Sequence, residues 1–345
     1  MERLDNPTRG ARGASWPRRV ALVVLVALLG STGVAWIALR PAPGVAEGSR
    51  VVDIPRDSGL AEVADHLAGA EVIRSRVAFM VAAAARGTAR RLRAGEYEVP
   101  REASTLDVLE LLESGRVIHH VVLHREGATL DDLARTLEAQ KLATAADVGR
   151  AGRDPALLRR LDVPGTSLEG YLFPDTYEVV RGMKPEELLA RMVARTREHI
   201  TPAVLERMTA QRLTLHQVLT MASIIEREAA RPGEMPLISA VFWNRLRRDM
   251  PLQADPTVQY AIGRMDRAPT RADLEVDSPY NTYRRAGLPP GPIASPGRAA
   301  IEAAVRPAEV GYLYFVMSAE GQHHFSTTLV DHQAAVARYR AFRQR

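Results

Sequence analysis

The sequence predicts an α+β fold in three parts: an N-terminal transmembrane helix, a small α+β domain and a larger mixed α/β domain. Three observations carry this expectation. An uncharged apolar run occupies residues 20–39, short strand–turn–helix segments recur over the first third, and a series of helical stretches ending in a hairpin fills the rest. With 46% hydrophobic and 25% charged residues the composition is globular, and the roughly 300 residues beyond the apolar run suffice for two packed domains.

The 20 uncharged residues from 20 to 39, at about 1.5 Å each, span roughly 30 Å of hydrocarbon. Ahead of them Arg3, Arg9, Arg12, Arg18 and Arg19 outweigh Glu2 and Asp5, which keeps residues 1–19 in the cytoplasm and sends everything after Arg40 across the membrane. A cleaved signal peptide is the competing reading. Its apolar core is usually about 7–15 residues, shorter than this run, so a retained single-pass anchor is expected. The chain has no cysteine, which excludes a lipobox, disulfides and a thiolate nucleophile.

A Pro/Gly tether (40–49) leads into the proximal domain, expected over 50–117 and closed by Gly115. A weak repeat begins there: IPRDSGLAEVADHL from Ile54, VPREASTLDVLELL from Val99 and LHREGATLDDLARTL from Leu123. Each copy has an extended apolar end, a polar turn and a short helix with leucines on one face. Strands are expected at 50–54 and 96–99. The distal domain, 118–345, opens with a strand over 117–123. Its helices are expected at 129–140, with Thr129 and Asp132 as cap, and at 185–199, 202–209, 214–229 and 234–248. Thr201-Pro202 places a cap before a proline at the first helical position. YLYFVMSAEGQHHFS (312–326) reads as a hairpin turning at Glu320-Gly321, followed by a helix to about Phe342.

One helix carries an uncomfortable carboxylate. In LTLHQVLTMASIIEREA (213–229) Thr214 is the N-cap and Gln217 the N3 residue. At about 100° per residue, Leu219 and Leu215 flank Glu226 by roughly 20° on either side. Glu226 is therefore centred on the apolar stripe, while Glu228 points almost opposite, toward solvent. A carboxylate on a packed face is either held by a nearby arginine or has its pKa raised toward that of a general acid at a cleft floor.

Four polar segments are suited to gripping a sugar. EGYLFPDTY (169–177) offers Glu169, with Tyr171, Phe173 and Tyr177 as core alternatives. VFWNRLRRDMPLQADPTVQYA (241–261) offers Asn244, Gln253 and Asp255, with Arg245 expected as a solvated helix residue and Asp255 equally able to cap a turn. SPYNTYRRAGLPPGPIASPG (278–297) is too rich in proline and glycine for a helix and is expected as a fixed loop presenting Tyr280, Asn281 and Tyr283. His323 and His324 lack a third ligand at metal spacing. There is no GxSxG, HExxH, phosphate-binding loop or dinucleotide fingerprint, so no cofactor is expected. The net charge of +5 comes from dispersed arginines and fits an anionic membrane or wall surface; no nucleic-acid partner is expected.

The strings EGYLFPDTY, ASIIERE, FWNRLRRDMPLQADPTVQYA, SPYNTYRRAGLPPGPI and YLYFV together resemble the YceG-like family of endolytic murein transglycosylases. The resemblance implies a single-pass inner-membrane protein with a small LysM-like domain and a periplasmic catalytic domain. It implies Glu226 as the catalytic acid, from the ASIxExE string, and Glu169, Asn244, Gln253, Asp255, Tyr280, Asn281 and Tyr283 as residues lining a glycan cleft. Two departures are visible: IASPG stands where IxNPG is usual, and VDHQ (330–333) where EHN is common. Neither is expected to touch the acid. The activity implied is nonhydrolytic cleavage of MurNAc–GlcNAc bonds in nascent peptidoglycan strands, leaving 1,6-anhydroMurNAc ends and terminating elongation, with peptidoglycan polymerases as partners. Two rivals stand beside it: a muramidase-type hydrolase using Glu169 or Asp255 as second carboxylate, and a noncatalytic peptidoglycan-binding protein.

Overall fold

The computed structural model describes residues 16–42, 48–88 and 90–344, without the side chains of 16–19, 26–29 and 31. Arg3, Arg9 and Arg12 of the basic flank, and residues 43–47 of the Pro/Gly tether, lie outside the described residues. The chain forms two compact units: one runs through His119 and includes Val180–Gly182, and the other comprises His120–Val179 and Met183–Arg345.

The first unit contains α1 (Trp16–Leu39), β1 (Ser49–Ile54), α2 (Leu60–Gly69), α3 (Arg76–Ala85), β2 (Gly95–Pro100) and α4 (Thr105–Ser114). In α1 the side chains of Leu22, Val23, Val34 and Ile37 stand exposed. Among the described residues no helix is long and apolar enough to cross a membrane. β1 and β2 pair antiparallel with Val52 opposite Tyr97. Their two-residue period sends Val52, Ile54, Tyr97 and Val99 into one core with Leu67, Phe79, Leu109 and Leu112. The buried Tyr97 hydroxyl donates to Arg93 O at 2.6 Å, which satisfies its one polar atom. Ser104 and Asp107 form a reciprocal cap on α4, which ends at Gly115 in the left-handed region, φ 68°.

The second unit is mainly helical. It holds β3 (His119–Leu123), α5 (Leu130–Ala139), α6 (Ala145–Ala151), α7 (Pro155–Arg160), β4 (Thr176–Val180), α8 (Pro185–Glu198) and α9 (Pro202–Gln211). Then come α10 (Leu215–Glu228), α11 (Met235–Leu246), α12 (Asp255–Ala261), α13 (Arg298–Val305), β5 (Tyr314–Met317), β6 (His323–Ser326) and α14 (Leu329–Arg343). The described strands here form two two-stranded sheets, β3–β4 and β5–β6. Side-chain caps start most of the helices: Thr129 before α5, Thr144 before α6, Asp154 before α7, Thr201 before α9, Thr214 before α10 and Thr328 before α14. The terminal hairpin pairs Tyr314 with Ser326 and Met317 with His323 and turns at Gly321, φ 69°.

α10 lies at the centre. Every residue from Val218 to Ile225 is buried, with α11, α12 and α13 packed against it. Over these two turns the helix has no solvent face, so the single apolar stripe expected from the sequence is too narrow a description there.

Candidate active site

Two loops are laced together over the end of α10. Gly127 N donates to Ser295 O and Ser295 N to Ala128 O, both at 2.8 Å. His124 Nε2 meets Ser295 Oγ at 2.8 Å in the buried interior, and burial pushes the His124 imidazole down to about 4. Ser223 on α10 accepts from Ile293 N at 3.1 Å while donating to Thr220 O. The EGYLFPDTY segment closes on the same loop. Gly170 has φ 72°, and a methyl group there would stand 2.1 Å from Pro292 Cβ, so only glycine allows this approach.

These ties place Gly297, the residue before α13, directly over Glu226: Gly297 N donates to Glu226 Oε2 at 2.9 Å. Burial raises the pKa of half-buried Glu226; the Gly297 hydrogen bond opposes this, the charge of Glu126 adds to it, and Arg227 opposes it. Desolvation wins, so the carboxyl is biased toward its protonated, proton-donating form. Arg227 turns aside, donating to Met265 O at 3.2 Å and Gly127 O at 3.4 Å, rather than clamping Glu226. Ser295, the residue at which IASPG departs from IxNPG, meets His124, Gly127 and Ala128, while Gly297, which both patterns share, is the residue that contacts the acid.

Glu228 corrects an expectation. It is half-buried, and desolvation together with the charge of Asp255 pushes its pKa up to about 8. It faces the backbone N–H of Asp255 at the start of α12. The opposite side of α10 is occupied by α12, which a single-helix projection cannot show. Arg245, expected in solvent, is also buried: its guanidinium donates to Leu313 O at 2.7 Å, Leu252 O at 2.8 Å and Gln253 Oε1 at 3.3 Å.

The structure sorts the other predicted site residues into three groups. Gln253, Asp255 and Tyr283 come together: Asp255 is exposed and accepts the Tyr283 hydroxyl at 2.6 Å, and Gln253 N donates to Thr282 O. Glu169 and Tyr280 lie near one another beside Tyr260, whose ring centroid is 4.9 Å from that of Tyr280. Glu169 is almost completely buried; its two oxygens accept Leu130 N at 3.1 and 3.2 Å at the start of α5, and burial pushes it up to about 8. It lines a groove of about 570 Å³ with Thr129, Arg153, Arg227, Tyr260 and Met265.

Asn244 and Asn281 form the third group, whose amides are turned to the backbone rather than to the groove. Asn244 Nδ2 donates to Val310 O and Tyr312 O, both at 2.8 Å, and its Oδ1 accepts Arg247. Asn281 is fully buried; it donates to Leu274 O and Val276 O at 2.9 Å and accepts Tyr283 N at 3.0 Å. Both amides hold loops in place, and both donor hydrogens of each are spent on backbone carbonyls. Sequence reasoning missed Glu126, Tyr260 and Gly297. The signals were the EGAT turn that opens α5 and the glycine ending IASPG.

A half-buried carboxyl with a raised pKa, near a polar groove lined by Glu169 and Tyr260 on a helical α+β scaffold, has the makings of a general-acid enzyme site. The YceG-like family matches residues 52–338, and the chain belongs to that family. It is 34% identical to the endolytic murein transglycosylase of Bacillus subtilis (strain 168), over 84% of this chain and 84% of that protein. It is 30% identical to the endolytic murein transglycosylase of Streptococcus pneumoniae serotype 2 (strain D39), over 93% of this chain and 64% of that longer protein. The crystal structure of a yceG-like protein from Listeria monocytogenes superposes with a TM-score of 0.59 at 34% identity, covering 84% of this chain and 99% of that one.

Proposed function

We propose that this protein is a peptidoglycan lytic transglycosylase that cuts MurNAc–GlcNAc bonds within glycan strands, with Glu226 as the general acid. The observation that carries this reading is the half-buried Glu226 carboxyl, its pKa raised by desolvation and its Oε2 held by Gly297 N at 2.9 Å. The family and its named relatives support the substrate class.

Glu226 would protonate the leaving glycosidic oxygen. As positive character grows at the MurNAc anomeric carbon, that sugar's own C6 hydroxyl attacks and closes the 1,6-anhydro ring. An attacking group already in the substrate has the effective-concentration advantage of an intramolecular step. The groove beside Glu169, Tyr260 and Tyr280, and the Gln253–Asp255–Tyr283 cluster, are the surfaces we assign to flanking sugars. The uncharged run at 20–39 we read as a single inner-membrane anchor with the catalytic unit in the periplasm, and the first unit as a LysM-like domain. Tethering raises encounter with membrane-attached strands and with the polymerases that extend them. Cleavage there would end strand elongation.

A muramidase-type hydrolase remains the second reading, and one observation favours it: an exposed carboxylate, Glu126, approaches Glu226. Glu169 does not fit the role assigned to it in that rival, being committed to Leu130 N. Mass spectrometry of products from uncrosslinked glycan strands separates the two: anhydro ends support the transglycosylase, and reducing ends carrying solvent oxygen from H2(18)O would replace it with the hydrolase.

A further inference from the structure

Glu226 is not alone at Gly297. While Glu226 Oε2 accepts the Gly297 N–H at 2.9 Å, Glu126 approaches from the loop between β3 and α5. A methyl group at Gly297 would stand 1.9 Å from Glu126 Oε1 and 2.4 Å from its Cδ. The space that a side chain would fill at 297 is therefore taken by a second carboxylate. Their settings are unlike: Glu226 is half-buried and bonded to a backbone N–H, and Glu126 is exposed. Two carboxyl groups held together in unlike surroundings divide into proton donor and proton acceptor. The pair is also fixed by the backbone, since Gly127 next to Glu126 is bonded to Ser295 and receives Arg227 from α10.

We propose that Glu126 is the base of the reaction, taking the proton from the MurNAc C6 hydroxyl while Glu226 protonates the leaving oxygen. This assignment rests on the transglycosylase reading above. The O6–H bond breaks and its proton passes to Glu126; O6 bonds to C1; the C1–O4 bond breaks, and O4 takes its electron pair and the Glu226 proton. Glu126 ends protonated and Glu226 ionised. Transfer of one proton between these neighbours, directly or through water, restores the starting state, and no water is consumed. With Glu226 alone, the one carboxyl would release a proton toward O4 and only then, as carboxylate, collect one from O6. A carboxylate waiting at Gly297 lets the two transfers coincide.

The test uses the full chain on uncrosslinked glycan strands, with kcat and KM measured from about pH 4 to 9 and product ends identified. The groups facing Glu226 in that profile are Glu126, Arg227 and the Gly297 N–H. Glu126→Gln is expected to lower kcat by about 100-fold or more, the range of a general base, with KM within a few-fold and the rising acid limb lost. Glu126→Asp restores part of that limb. Gly297→Ala keeps both carboxyls and a backbone conformation open to any residue, φ −76°, but displaces the flexible Glu126 side chain, so it also lowers kcat. If Glu126→Gln turns over within about threefold of wild type at its optimum, with only the alkaline limb shifted to lower pH, Glu126 merely tunes the charge of Glu226 and the proposal falls. Reducing ends from wild type would overturn the transglycosylase reading itself; anhydro ends with unimpaired Glu126→Gln would overturn only the assignment of Glu126.

Discussion

Asn281 offers the sharpest separation of a structural from a sugar-binding role. Replacing it with alanine removes donations to Leu274 O and Val276 O, each at 2.9 Å, and the acceptor for Tyr283 N at 3.0 Å. A hydrogen bond contributes about 1 kcal/mol net, more where the abandoned partner stays buried, so the three together come to about 3 kcal/mol. For a unit of this size each kcal/mol shifts Tm by about 2–4 °C, giving an expected fall of about 6–12 °C. Thermal unfolding followed by circular dichroism measures it, with KM determined well below the transition. The expected result is a lowered Tm with KM within about twofold of wild type. An unchanged Tm with a raised KM would refute the reasoning and return Asn281 to the glycan.

Other expectations are equally direct. Gly170→Ala places a methyl 2.1 Å from Pro292 Cβ at φ 72°; left-handed strain and overpacking together cost about 3 kcal/mol, read from urea unfolding. Glu169 has its pKa raised from 4.5 to about 8, so the stability its neutral form contributes is whole below about pH 4.5 and lost as pH rises to about 8. Glu169→Gln cannot ionise, and its Tm should decline less than that of wild type between about pH 5 and 8. His124 has its pKa lowered from 6.5 to about 4, so its neutral ring stabilises the native state fully above about 6.5, and this is lost as pH falls toward about 4. Hydrogen-exchange protection of the Gly127 and Ser295 amides should weaken over that window.

Local chemistry made much of the helical framework legible. Thr214 with Gln217, Thr129 with Asp132 and Thr201 with Pro202 cap their helices as their order in the chain suggests, because a cap depends on residues three apart. The terminal hairpin and the irregular 278–297 loop were legible for the same reason. What could not be read was anything set by a distant partner. Glu228 meets the start of α12, Arg245 sinks beneath the hairpin, and Asn244 and Asn281 spend their amide hydrogens on backbone carbonyls. The placement of Glu226 on a buried surface was visible from periodicity. The meeting of Glu126 and Gly297 there, 171 residues apart in the chain, required two loops to fold onto one helix end.

Both glutamates at the end of α10 have raised pKa values, yet only Glu226 stands beside the open loop that Glu126 enters; Glu228 is committed to α12. Mass spectrometry of glycan ends released by wild type, Glu226→Gln and Glu228→Gln decides between them. Anhydro ends from wild type and from Glu228→Gln, but none from Glu226→Gln, are the predicted result. Anhydro ends persisting in Glu226→Gln and vanishing in Glu228→Gln would contradict the assignment of the acid.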